Sequence, residues 1–110
     1  MKLPNAAHAV VHIEKLRNYC LSTTHPRGKH KAFVFASVLD ITANEAEILR
    51  DHILFAALHT EAVATNNDVY GQRYIFDFEM ENKGKKAVIR TSWIILANED
   101  FSRLTSCYVL

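Results

Sequence analysis

The sequence predicts an α+β fold in which two to three N-terminal helices pack on one face of a three- to four-stranded antiparallel sheet. Apolar residues recur at helical spacing through the first half of the chain, and from Tyr70 onward the period changes to two. The strand-like runs follow one another with short turns between them, the order of a meander and not of a parallel βαβ sheet. A chain of 110 residues with 49% hydrophobic content suffices for one core without disulfide or cofactor support, so residues 1–110 are read as a single domain.

Val10, Ile13, Leu16 and Cys20 lie at helical spacing and predict a first helix ending near Leu21, before the turn Ser22-Thr23-Thr24-His25-Pro26. Pro26 biases the residue before it toward an extended conformation, which puts His25 in a loop. Gly28 leads into a second helix with the apolar stripe Ala32, Phe35, Ala36 and Leu39. Its first turn carries Lys29, His30 and Lys31, unfavourable against the positive end of the helix dipole; a nearby anion would relieve that cost. Thr42 with Glu45 forms a capping box, and Ala46, Leu49, Ile53 and Ala57 mark a third, structural helix running to about His59.

Tyr74, Phe76 and Phe78 alternate with Ile75 and Asp77 in a first strand, Asn82-Lys83-Gly84 makes a turn, and Ala87 to Leu96 alternate in a long second strand. A last strand covers about Leu104 to Val109. If Ile89, Thr91, Trp93 and Ile95 face the helices, Arg90 and Ser92 project together from the opposite face. In the last strand the same parity separates Thr105 from Tyr108. Both reach the face of Arg90 only if that strand bulges or bends.

The formal charge of +1 gives no global basic field, so any contact with nucleic acid must come from local clustering. Such a cluster exists: His25-Pro26-Arg27-Gly28-Lys29-His30-Lys31 has the composition of a phosphate-handling site. Cys20 and Cys107 are expected reduced and buried, because the N-terminus MKLPNAAHAVV lacks the pattern of a secretory signal. No apolar run approaches the roughly 18 residues of a membrane span, and a cytoplasmic location is expected.

The segments HPRGKHKAFVF, YGQRYIFDF, VIRTSWII and LTSCYVL resemble a family of short bacterial proteins known as a domain of unknown function, which also occurs as a C-terminal module of polymorphic toxins. The resemblance runs from KLPNAAHAVV to the last residue. That family is in turn similar to the metal-independent RNases that unite barnase, EndoU, the tRNA-cleaving colicins and RelE, whose sheet carries the active site. The resemblance implies an RNase-toxin-like domain acting on RNA, possessed of no cofactor or metal, and restrained by a small antitoxin or immunity protein. Residue by residue it points to His25 and Lys29, to Arg90, and to Thr105 and Tyr108 as catalytic, with Arg27, His30, Lys31, Ser92 and Ser106 as substrate contacts. The chain departs from the family pattern at Phe33, often basic there, and at His12, often acidic. The departure at Phe33 weakens a substrate contact if that position meets RNA.

The chemistry can be argued from the residue types. Cleavage by a neighbouring 2′-hydroxyl needs a base for its proton, an acid for the leaving 5′-oxygen and positive charge against the developing phosphorane, but no metal. His25 suits either proton-transfer role. Lys29 and Arg90 supply charge, Arg90 in a fork that matches phosphate oxygens. Thr105 and Tyr108 hydrogen-bond the phosphate, or Tyr108 is the second proton-transfer group.

Each residue also has a plainer reading. His25 is a turn residue, Lys29 to Lys31 a solvated helix start, and Arg90 the partner of Asp77 or Glu79 on the neighbouring strand. Trp93 is read as core, and Thr105 and Ser106 as edge-strand polar residues. His8 and His12 stand four apart without the further ligands a metal site needs. The cysteines lie within apolar patterns where a thiol is inert. Two further readings of the whole remain open: a noncatalytic RNA- or protein-binding module, and an immunity or structural partner that uses an exposed sheet edge.

Overall fold

The computed structural model describes the chain from Met1 to Leu110. Its first half holds α1 (Ile13–Lys15), which widens into a π-helical turn over Leu16–Cys20, then α2 (Lys29–Leu39) and α3 (Ala46–His59). The second half is a meander of β1 (Val63–Asp68), β2 (Gly71–Asn82), β3 (Lys85–Leu96) and β4 (Arg103–Val109), each antiparallel to its neighbour. Helices followed by an antiparallel sheet is the α+β order that the periodicity predicts.

One face of the sheet meets the helices. Leu16, Phe35, Leu39, Leu49 and Ile53 from the helical side are buried with Tyr74, Phe76, Met80, Ile89, Trp93 and Cys107 from the sheet. Thr91 is the polar member of this layer and is satisfied internally. Its hydroxyl donates to the Phe76 carbonyl at 2.9 Å and accepts the Trp93 indole N–H at 2.8 Å. Trp93 is fully buried and stacks on Phe76 with ring centroids 5.6 Å apart. It is core, as its pleat parity predicts, and no base can stack on it.

The predicted stripes of α2 and α3 are the buried ones apart from half-buried Ala36, and the capping box closes as expected: the Thr42 N–H donates to Glu45 Oε1 at 2.9 Å. Val10 differs from expectation. Its N–H donates to the Ser102 carbonyl and its carbonyl accepts the Leu104 N–H, so it lies extended beside β4 instead of opening a helix. Strand β1 is the element that periodicity misses, since every residue of Val63–Asp68 is exposed and no alternation marks it. The turn at Asn82-Lys83-Gly84 forms as predicted, with Lys83 and Gly84 at positive φ.

Cys20 and Cys107 are both buried and unbridged, their thiols in hydrogen-bond contact between the π-helical turn and β4. That contact lowers Cys20, while the same contact and burial push Cys107 well up.

Gly28 is required for a packing reason. A Cβ there would run into the carbonyl oxygen of Tyr19, backbone that cannot swing aside. Gly28→Ala is expected to destabilise the fold by about 1–3 kcal/mol, the usual cost of forcing extra volume into a packed site; equilibrium urea unfolding reads it directly. An unchanged midpoint would mean that the segment before α2 can draw away from the π-helical turn.

Candidate functional site

The face of the sheet turned away from the helices carries a row of polar side chains that pleat alternation puts there. Between buried Ile89 and Thr91, Arg90 points to this open face, opposite Asp77 on β2 and Tyr108 on β4. Arg90 grips Asp77 in a two-pronged ion pair, Nε to Oδ1 and Nη2 to Oδ2, both at 2.8 Å. The hydrogen bond and charge of Arg90 hold the Asp77 carboxyl below its usual range. In return Asp77, and to a lesser degree Tyr108, keep the guanidinium more firmly protonated than usual. This is the cross-strand pair anticipated as the plain reading of Arg90. The fork uses Nε and Nη2, Tyr108 is in further hydrogen-bond contact with the guanidinium, and the pair is only about two-thirds covered, with side chains 35% and 34% exposed.

The row continues past β4. Lys31, two residues into α2 beyond Lys29, sets its ammonium 4.5 Å from the centroid of the Tyr108 ring. Asp77, Arg90, Tyr108 and Lys31 therefore form one line across three strands to the adjoining helix.

One rung along, Ser92 faces Ser106 on the same open side. The parity conflict in the last strand resolves through a bulge: Ser92 pairs with Ser106 but Trp93 pairs with Leu104, leaving Thr105 as an extra residue of β4. Leu104 and Cys107 can then both be buried while Ser106 and Tyr108 stay on the open face. Thr105, Ser106 and Ser92 line one shallow hollow of about 430 Å³.

His25 is not a member of the Arg90 row or of the 430 Å³ hollow. It lines a hollow of about 620 Å³ with His12, Glu14, Lys15, Asn18 and Tyr19, none of which belongs to the Arg90 row. Its ring packs edge-on against Tyr19, centroids 4.7 Å apart. Nδ1 accepts the backbone N–H groups of Arg27 at 3.0 Å and Gly28 at 3.1 Å. That arrangement fixes the tautomer of the neutral ring, because a nitrogen accepting two N–H bonds cannot carry hydrogen, so Nε2 bears it and points out as a donor. Arg27, Lys29, His30 and Lys31 are exposed around this turn. His12 meets Arg103 Nη1 through Nε2 at 3.0 Å, and Phe33 is 55% exposed on α2.

Sequence reasoning saw Asp77 only as a neighbour of Arg90 and passed over Arg73, Thr65 and Asn66, which share the 430 Å³ hollow. Alternation along β2 could have placed Arg73 with Asp77. For the β1 residues no sequence signal existed. The hollow of largest volume, about 650 Å³, lies between α3 and β2 and is lined by the carboxylates of Asp51, Glu79 and Glu81 together with His52 and His59, with no Lys or Arg among them. That is the wrong sign for a phosphate. No three His, Cys, Asp or Glu side chains come together as metal ligands, and no helix is long and apolar enough to cross a membrane.

The model of a family described as a domain of unknown function, DUF6883, matches residues 2–110. The chain belongs to the DUF6883 family. No curated protein matches this DUF6883 chain. Among solved structures it is similar to a chain of a contact-dependent growth inhibition toxin–immunity protein complex from Klebsiella pneumoniae 342, with a TM-score of 0.66 and 19% identity. The match covers 92% of the DUF6883 chain and 99% of the other. At that identity the likeness shows a shared fold.

Proposed function

We propose that the chain is a metal-independent endoribonuclease-like toxin domain that cuts RNA, tRNA included, by 2′-hydroxyl attack on the adjacent phosphate. The new bond joins the 2′-oxygen to phosphorus, the bond to the 5′-oxygen breaks, and one proton leaves the 2′-hydroxyl while another reaches the 5′-oxygen. The products are a 2′,3′-cyclic phosphate and a free 5′-hydroxyl. The observation that carries this reading is the Arg90 row: a guanidinium braced by Asp77, a phenol and an ammonium aligned on the uncovered face of the sheet. Braced cations aimed at a phosphate stabilise the charge that develops as the phosphorane forms.

In this reading the guanidinium of Arg90 and the ammonium of Lys31 hold the phosphate, with Lys29 adding charge and His30 a further contact along the approach of the strand. Tyr108 is the proton-transfer group in the row, and Thr105 hydrogen-bonds the phosphate from the bulge. His25 contributes its Nε2–H as a donor. The fold shared with a chain of a growth-inhibition toxin–immunity protein complex supports a place in such a system, with this chain as the toxin and an immunity or antitoxin protein as its partner; the RNA it acts on is that of the same cell.

A second reading, a noncatalytic RNA- or protein-binding module, is favoured by one observation: His25 spends Nδ1 on the turn and lines a hollow apart from Arg90. Incubation of the protein with total RNA and purified tRNA, chelator present throughout, separates the two. The expected result is cleavage that survives chelator and leaves 2′,3′-cyclic phosphate ends. Folded protein that binds RNA without cutting it would favour the second reading.

A further inference from the structure

Two bulges stand at the same level of the sheet, one on each outer strand. In β1, Thr65 and Asn66 together oppose the single residue Arg73, while in β4 the extra residue is Thr105. The β2–β3 register joins these levels, because Arg73 pairs with Ile94 and Tyr74 with Trp93, next to the Trp93–Leu104 rung. A bulge bends its strand and re-aims side chains. The hollow of about 430 Å³ lies between the two bulges, lined by residues of both. The β1 bulge is held in shape, since the Gln72 amide donates to the carbonyls of Thr65 and Asn66 at 3.4 Å and of Arg73 at 3.0 Å.

The lining has a definite chemistry. Ser92, Thr105 and Ser106 offer hydroxyls, Asn66 an amide, and Ile75 an apolar patch. Arg73 is anchored through Nε to Asp68 Oδ2 at 2.9 Å, and the same oxygen accepts from Asn66 Nδ2 at 3.3 Å, so one carboxylate fixes both side chains while the Arg73 Nη groups and the Asn66 Oδ1 make no such bond. Planar faces with donors and acceptors along their edges are what such a set matches: an amide and hydroxyls read edges, and a guanidinium plane stacks on a ring. Ser92 is two residues from Arg90 on the same face of β3, a spacing of about 7 Å along a strand. That is the order of the separation between a nucleotide's phosphate and its base.

We infer that the hollow between the two bulges is a subsite for one unpaired nucleobase of RNA, with Asn66 and Arg73 as specificity-determining residues. The inference rests on the RNase reading for its phosphate, which sits at Arg90. An unpaired base is required because the edges that Asn66 and the hydroxyls would read are occupied in a duplex.

The test maps cleavage positions by sequencing the RNA ends left by the wild type and by Asn66→Ala and Arg73→Gln, each first shown to unfold at the wild-type temperature. A parallel titration follows amide NMR shifts with the four nucleoside 3′-monophosphates and with inorganic phosphate. The inference expects a base preference beside the cut bond that falls by about tenfold or more in the variants. Cleavage by the wild type with a base distribution that both variants leave unchanged overturns the subsite and leaves the RNase reading standing. If the wild type does not cut, the RNase reading fails and the titration decides. One nucleoside monophosphate shifting residues 65–66 and 105–106, with the response lost in Asn66→Ala, supports the subsite. Four responses identical to inorganic phosphate overturn it.

Discussion

Arg90→Ala is expected to lower RNA cleavage by about a hundredfold or more, the common cost of removing one charge-stabilising contact at a reacting centre. The fold should tolerate it. The Arg90–Asp77 pair is about one-third exposed, and exposed ion pairs contribute about 0–1 kcal/mol, so thermal unfolding should move little. Arg90→Lys sharpens the result, since a lysine keeps the charge but cannot grip Asp77 with two parallel bonds while offering a further N–H to phosphate. It is expected to restore little of the lost rate. Single-turnover cleavage of a synthetic RNA measures both variants. Wild-type rates in Arg90→Ala would remove the row as the phosphate site and leave Arg90 as a strand-pairing residue.

The second large effect is expected at His25, where two roles pull apart. Its Nδ1 holds the turn before α2 through the N–H groups of Arg27 and Gly28, and its Nε2 faces outward. His25→Ala removes both and is expected to cost about 1 kcal/mol of stability, the typical loss when a side-chain acceptor is taken from a helix start. Asparagine can accept a backbone N–H two residues on, so His25→Asn should hold the turn and unfold close to the wild-type temperature. It has no donor in the place of Nε2, and cleavage is expected to stay at least about tenfold down. Full cleavage in His25→Asn would assign the histidine to the turn alone.

The helices and three of the strands were legible because burial writes a period into the sequence: Ala32, Phe35 and Leu39 on α2, Ile89, Thr91 and Trp93 on β3. Strand β1 was not, since it buries nothing and is defined only by its hydrogen bonds to β2. Val10 misled for a related reason. It has the right spacing for the helical stripe, but its backbone bonds are made to Ser102 and Leu104, which lie more than ninety residues along the chain. At the site, alternation put Arg90 and Ser92 on one face, and parity stated that a bulge was needed to bring Thr105 there with Tyr108. Where the bulge falls is a matter of register, which no local pattern encodes. The hollow that His25 enters belongs to tertiary packing, namely how the loop before α2 rests on Tyr19.

The meander order of the sheet has a kinetic consequence. Each pairing joins neighbours across a short connection, so the strands can zip together hairpin by hairpin with little entropy lost to ring closure. The N-terminal segment is the exception. Asn5 reaches the carbonyl of Asp100, 95 residues away, and Val10 lies along β4. These contacts close the largest rings in the molecule, and they tie down an end of the chain that holds no long helix. The segment is therefore expected to dock after the hairpins have formed and to be among the first parts to detach, so that the start of β4 around Arg103 is uncovered while the rest of the sheet is still intact.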